Sequence, residues 1–278
     1  MLVSSPVFDD ADVIIRAAGV DFRAHKFLLS LVSPIFKDMF TFPQPPADTP
    51  NTLPHVYVQE SPNTWGTILQ LIYHLPHPVI DDLGQLESLL LAAKKYEMHF
   101  ILDSHKNIFK DRGFIKRDPL HLYTIACACG FEDQAKYVAR NAGHLAVTGR
   151  SHAGDLEGLT VASYHRLVSF LAERDSEWNR ILARAAIQPE YPCKCSGQMT
   201  ESLYNKIKEN LKWSSLQIEE VYLRALEHRS RFRQPACFPM PPTQCTMVDS
   251  EVKGFIDRMA KERESLCDKL MRDKEYVQ

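Results

Sequence analysis

The chain has 278 residues, 45% hydrophobic and 24% charged, with a formal net charge of −2 at pH 7. That balance suits a core-forming protein of one large or two smaller domains, and gives no electrostatic case for nucleic acid or an anionic membrane as the main partner. The opening MLVSSPVFDD has no basic stretch or sustained apolar run, and no segment approaches the roughly 18 uninterrupted apolar residues of a membrane span, so the expected location is inside the cell, in cytoplasm or nucleus.

In chain order, Asp12-Val13-Ile14-Ile15 opens a short strand with Val13 and Ile15 on one face. Gly19 supplies the positive φ of a tight turn, and Phe22 lies in a second strand. Ala24-His25-Lys26 stands at the strand-to-helix junction, where the imidazole of His25 is expected to bond backbone groups left over at the helix start. A catalytic His25 would need a nucleophile or an orienting carboxylate, and the sequence supplies neither. Phe27, Leu28 and Leu31 are expected to give the short helix its core face. Ser33-Pro34 starts another helix, with Phe36, Met39 and Phe40 turned inward. The proline-rich FPQPPADTPNTLP, residues 42–54, reads as a loop, and HVYV at 55–58 as a third strand.

Ser61-Pro62 and Asp118-Pro119 repeat the device of a side-chain acceptor before proline, where the missing N–H costs nothing. After Pro62, Trp65, Ile68, Leu69 and Ile72 recur at helical spacing; Leu86, Leu89, Leu90 and Ala93 do so in the next helix. Following Pro119, Leu122, Ile125, Ala126 and Cys129 form another apolar stripe, which Gly130 ends in a left-handed turn. Further helices are predicted at 155–172, 174–187, 200–212 and 215–229. A last one begins near Asp249, with Val252, Phe255, Ile256 and Met259 on one side.

Asp12, Gly19, Phe22, Ala24-His25-Lys26, Leu28-Leu29, Ser33, Phe36, Met39 and Phe40, taken together, resemble the BTB/POZ domain. That family opens with an Asp-Val strand, a glycine turn and a Phe-x-Ala-His-Lys segment, then continues Leu-Leu, Ser-x-x-Phe and Met-Phe. The segments HVYV, LQLIYH and LLLAAKKYEM are similar to its later strand and paired helices. The resemblance implies an α+β fold, a small mixed sheet flanked by helices, over residues 1–112. It also implies that Asp12 and Lys26 line a charged pocket near a dimer interface; a weak, partly exposed ion pair is the other reading.

DPLHLYTIACACGFEDQAKYVARNAG resembles the first helical pair of BACK-type extensions, giving a second region at 113–190. The whole is similar to BTB proteins abundant in mushroom-forming fungi. Residues 191–278 form a third, helical region containing a proline-rich linker at 233–245.

The seven cysteines are read as reduced thiols. Cys127 and Cys129 diverge by roughly 200° on a helix, which argues against a shared metal. Cys193 and Cys195 could bind zinc with His228, Cys237 or Cys245, but the spacing fits no established pattern, and free thiols are the alternative. His74 and His77, among prolines, read as surface histidines. The basic residues between Lys206 and Arg233 are diluted by Glu209, Glu219, Glu220 and Glu227, so direct nucleic-acid binding is not expected.

No phosphate loop, GxSxG elbow, HExxH or dinucleotide fingerprint occurs, and no cofactor is expected. The expected function is non-enzymatic protein–protein interaction through a homodimer or a BTB heterodimer. The resemblance also permits a cullin-ligase adaptor or a transcription or chromatin regulator. Cullin adaptors of this kind commonly carry an apolar-x-Glu element, where this chain has Phe42-Pro43-Gln44.

Overall fold

The computed structural model describes residues 9–42, 53–76, 79–143, 158–184 and 247–272. Strands β1 (Val13–Ala17) and β2 (Val20–Ala24) form an antiparallel hairpin, and β3 (His55–Val58) runs parallel to β1 on its other side, giving the order β2-β1-β3. Alternation decides which face is buried: Val13, Ile15, Ala17, Phe22 and Ala24 are within 2% of full burial, while their neighbours face outward. The two-residue turn has φ of +44° at Ala18 and +85° at Gly19. Two successive positive φ values are what a hairpin with matching strand twist requires. Glycine adopts them freely and alanine does not.

Helices α1 (Lys26–Val32), α2 (Pro34–Thr41), α3 (Pro62–Ile72) and α4 (Leu83–Lys95) follow. Their starts are set by side-chain caps. Ser33 Oγ accepts from Phe36 N–H at 3.2 Å, Ser61 Oγ from Thr64 N–H at 3.2 Å, and Asp82 Oδ2 from Gln85 N–H at 2.9 Å. Lys94 and Lys95 occupy the last turn of α4, where cations complement the helix dipole. The predicted stripes of α3 and α4 are all buried.

Phe36, Trp65 and Tyr96 meet as an aromatic cluster, with ring centroids 5.0–5.8 Å apart. Glu60 closes it, accepting from Lys95 Nζ at 2.7 Å, Tyr96 OH at 2.9 Å and Trp65 Nε1 at 3.3 Å. Burial pushes the Glu60 carboxyl up, but these donors outweigh it and hold it below the ordinary range.

Then come α5 (His99–His105), a 3₁₀ turn (Lys106–Lys110), α6 (Arg112–Arg117), α7 (Pro119–Cys129), α8 (Glu132–Asn141), α9 (Val161–Arg184) and α10 (Met247–Arg272). Gly130, at φ +76°, follows α7 as expected. Cys129 is buried, which raises its thiol to about 11, whereas Cys127 on another side of α7 is half-buried.

Among the described residues, the chain divides into two compact units. The first takes residues up to 114 together with 121–135; the second takes 115–120, 136–143, 159–184 and 247–272. Within the first, Lys94 Nζ donates to the Ala128 carbonyl, Glu87 pairs with His121 at 2.9 Å, and Phe109 meets Phe131 edge-on. Within the second, α9 packs on α10 and buries Leu167, Phe170, Leu171, Trp178, Phe255, Ile256 and Met259.

The structure corrects one expectation here: α9 is a single 24-residue helix, not two helices meeting at residue 173. It starts at Val161 because Thr160 Oγ1 accepts from Ser163 N–H at 3.1 Å. It runs through Glu173-Arg174-Asp175 because Arg174, 0% exposed, is fully supplied with partners. Its Nη1 donates to the carbonyls of Ala139 (3.1 Å), Arg140 (3.3 Å) and Ala142 (2.9 Å), and its Nε and Nη2 donate to Asp175 Oδ1. The predicted helices at 200–212 and 215–229 and the linker at 233–245 lie outside the described residues.

Candidate protein-interaction surface

His25 stands at the junction of β2 and α1, and its imidazole does not cap the helix. The Tyr73 hydroxyl accepts from the His25 backbone N–H at 3.0 Å and lies 2.7 Å from Nδ1. The other ring nitrogen, Nε2, lies 3.1 Å from Asp10 Oδ1. Burial first, and the carboxylates of Asp12 and Asp10 after it, keep the Tyr73 hydroxyl protonated beyond its ordinary pH. The contact ties the C-terminal end of α3 to the start of α1.

The backbone group at the helix start is satisfied by Asp12 instead. Its Oδ1 accepts from Lys26 N–H at 2.7 Å, across 14 residues of sequence. The Lys26 ammonium sits 5.9 Å from the centre of the Phe40 ring. Asp12 is exposed and Lys26 half-buried.

The remaining motif residues fall into place around this junction. Leu29 is 1% exposed and Ser33 and Phe36 are 0% exposed, while Met39 and Phe40 are half-buried. Ser33 also donates to the Tyr96 carbonyl at 2.6 Å, tying α2 to the end of α4.

The expected core face of α1 is corrected. Phe27 is 74% and Leu31 70% exposed, and Leu28 is half-buried. At about 100° per residue, Phe27 and Leu31 lie on one stripe some 160° from Leu29, so a helix of seven residues that buries Leu29 must present them outward. The wheel of this segment carries that signal; its apolar composition alone hides it.

The outer face of the sheet bears Arg16, Asp21, His55 and Tyr57. Arg16 grips Asp21 through Nε and Nη2 at 2.5 and 2.6 Å and lies 5.8 Å from the Tyr57 ring centre.

Against known families, residues 6–112 match the model of the BTB/POZ domain. The strands, the Phe-Arg-Ala-His-Lys junction and helices α1 to α5 all fall inside that span. Residues 6–112 are a BTB/POZ domain. A BTB/POZ domain is a protein-interaction module. No curated protein matches the chain.

Among the described residues, no group of three or more His, Cys, Asp or Glu side chains is placed to hold a metal. Cys193, Cys195, His228, Cys237 and Cys245 lie outside the described residues, as does His77; His74 is exposed. None of the described helices is long and apolar enough to cross a membrane.

Proposed function

We propose that the BTB/POZ domain joins this chain to a second copy, or to another BTB protein, through the exposed stripe of α1, and that the helices beyond it hold a client. The observation that carries this reading is the pair Phe27 and Leu31, two large apolar side chains one turn apart and each at least 70% exposed. Fully burying such side chains is worth roughly 1.5–3 kcal/mol apiece, enough to anchor an interface. Asp12 supports the same face by fixing the Lys26 backbone at the root of α1, and the two supply a charged border to the apolar stripe.

Two differently tagged copies expressed together test it. The wild-type copies co-purify, and Phe27→Asp with Leu31→Asp in both copies lowers the recovery while the far-ultraviolet circular dichroism is unchanged. Equal recovery of the tagged partner from wild type and variant would remove α1 from the interface.

A further inference from the structure

The order β2-β1-β3 leaves β2 at an edge of the sheet, and among the described residues no strand pairs with its other side. An edge strand offers a row of backbone donors and acceptors to any chain that can lie alongside it. What that chain must look like is written in the side chains of β2. Asp21 and Arg23 are exposed on the outer face. Phe22 and Ala24 face the core, and Val20, on the same side as those two, is left 42% exposed.

We propose that β2 pairs antiparallel with β2 of a second copy, about a dyad through Phe22. In that register Asp21 of each copy lies directly opposite Arg23 of the other, and Val20 lies beside Ala24. Moving the dyad to residue 21 or 23 preserves the faces but sets Asp21 against Asp21, or Arg23 against Arg23. Opposite charges across a strand pair stabilise it and like charges oppose it, so charge complementarity selects the Phe22 register over both neighbours. Arg23 has a contact of only 4.0 Å with Asp9 within its own copy, while Asp21 is held in place by Arg16. The joined faces would thus carry a chain of alternating charge, Arg16 to Asp21 to Arg23, on each side of the dyad. Val20 gains apolar cover from the same pairing.

Strand pairing stands independently of the α1 contact. If both operate, two separate dyads link pairs of chains into larger assemblies; that consequence alone rests on the function proposed above.

Sedimentation velocity of the full chain at rising concentration tests the pairing. Arg23→Asp weakens self-association by about tenfold or more, because both cross-strand ion pairs become repulsions, while Arg23→Lys keeps it. Lys37→Asp, the same charge change on an exposed residue of α2, leaves it unaltered. In a Phe27→Asp/Leu31→Asp background the strand-paired species persists as a dimer and Arg23→Asp removes it. If Arg23→Asp alters association and the α1 variants do not, strand pairing holds and the α1 interface fails. Mass distributions of wild type and Arg23→Asp that coincide at every concentration, in both backgrounds, would overturn the proposal.

Discussion

Arg174 is a heavily committed side chain among the described residues of the second unit, and its replacement by methionine is a stringent test of how α8 and α9 are held together. The guanidinium is 0% exposed, and burial pulls it down to about 10, against the opposing pull of Asp175. It is therefore charged at neutral pH and compensated from two directions. Three carbonyls at the C-terminal end of α8, those of Ala139, Arg140 and Ala142, take its Nη1 hydrogens at 2.9–3.3 Å; Asp175 takes the rest at 2.8 and 3.0 Å. The carbonyls of Ala139 and Arg140 belong to the last turn of α8, where no intrahelical donor exists, and that of Ala142 follows the helix directly. Arg174→Met preserves most of the packing volume and strands the acceptors.

Each buried group left without a partner costs about 1–3 kcal/mol, and removing one member of a buried ion pair about 3–5. Since the contacts share one guanidinium and water can enter, the whole loss is set at about 3–5 kcal/mol rather than the sum. Arg174→Lys, with its charge retained but without the planar fork, loses about half of that. Hydrogen exchange read by mass spectrometry, with urea melts alongside, follows α8 and α9 separately from the sheet. The variant is expected to lose protection in both helices while β1 and β2 keep theirs. Unchanged protection in α8 and α9, with a loss under 1 kcal/mol, would refute the reasoning.

Two further outcomes follow from the first unit. Glu60, held below the ordinary carboxylate value in the folded state, contributes stability that is complete above that value and is lost as pH falls from about 4.5 through its lowered one. Glu60→Gln should therefore flatten the acid limb of a stability-against-pH curve between pH 5 and pH 3, measured by urea titration at each pH; an unchanged limb would count against the cluster. Ala18→Asn, which completes an Asn-Gly turn, should raise the thermal midpoint, with a gain of about 0.5–1 kcal/mol from relieving alanine at φ +44°; a lower midpoint would show that the turn is not the strained element.

Much of the first unit was legible because its signals are local. Alternation in Val13 to Ala17, the Ser33-Pro34 and Ser61-Pro62 starts, and the stripes of α3 and α4 each need only a few consecutive residues. The misreadings share one cause, which is that partners lie far along the chain. His25 looked like a cap because the sequence does not show Tyr73, 48 residues away, arriving at its ring. The gap predicted at residue 173 is absent because the end of α8, more than 30 residues earlier, makes burial of Arg174 within one continuous helix tolerable. In α1 the fault was different: the core face was assigned to Phe27, Leu28 and Leu31, although a seven-residue helix has room for one buried stripe, and Leu29 takes it. The residues so misassigned, Phe27 and Leu31, are those on which the proposed function rests.

The claim that α1 is an interface is tested most directly by sedimentation equilibrium of the full chain at low micromolar concentration, wild type against Phe27→Asp/Leu31→Asp. The account predicts a wild-type mass of at least twice the 31.8 kDa of one chain and a lower mass for the variant, which strand pairing alone holds at no more than a dimer. A wild-type mass of one chain throughout, or identical curves for the two proteins, would contradict it.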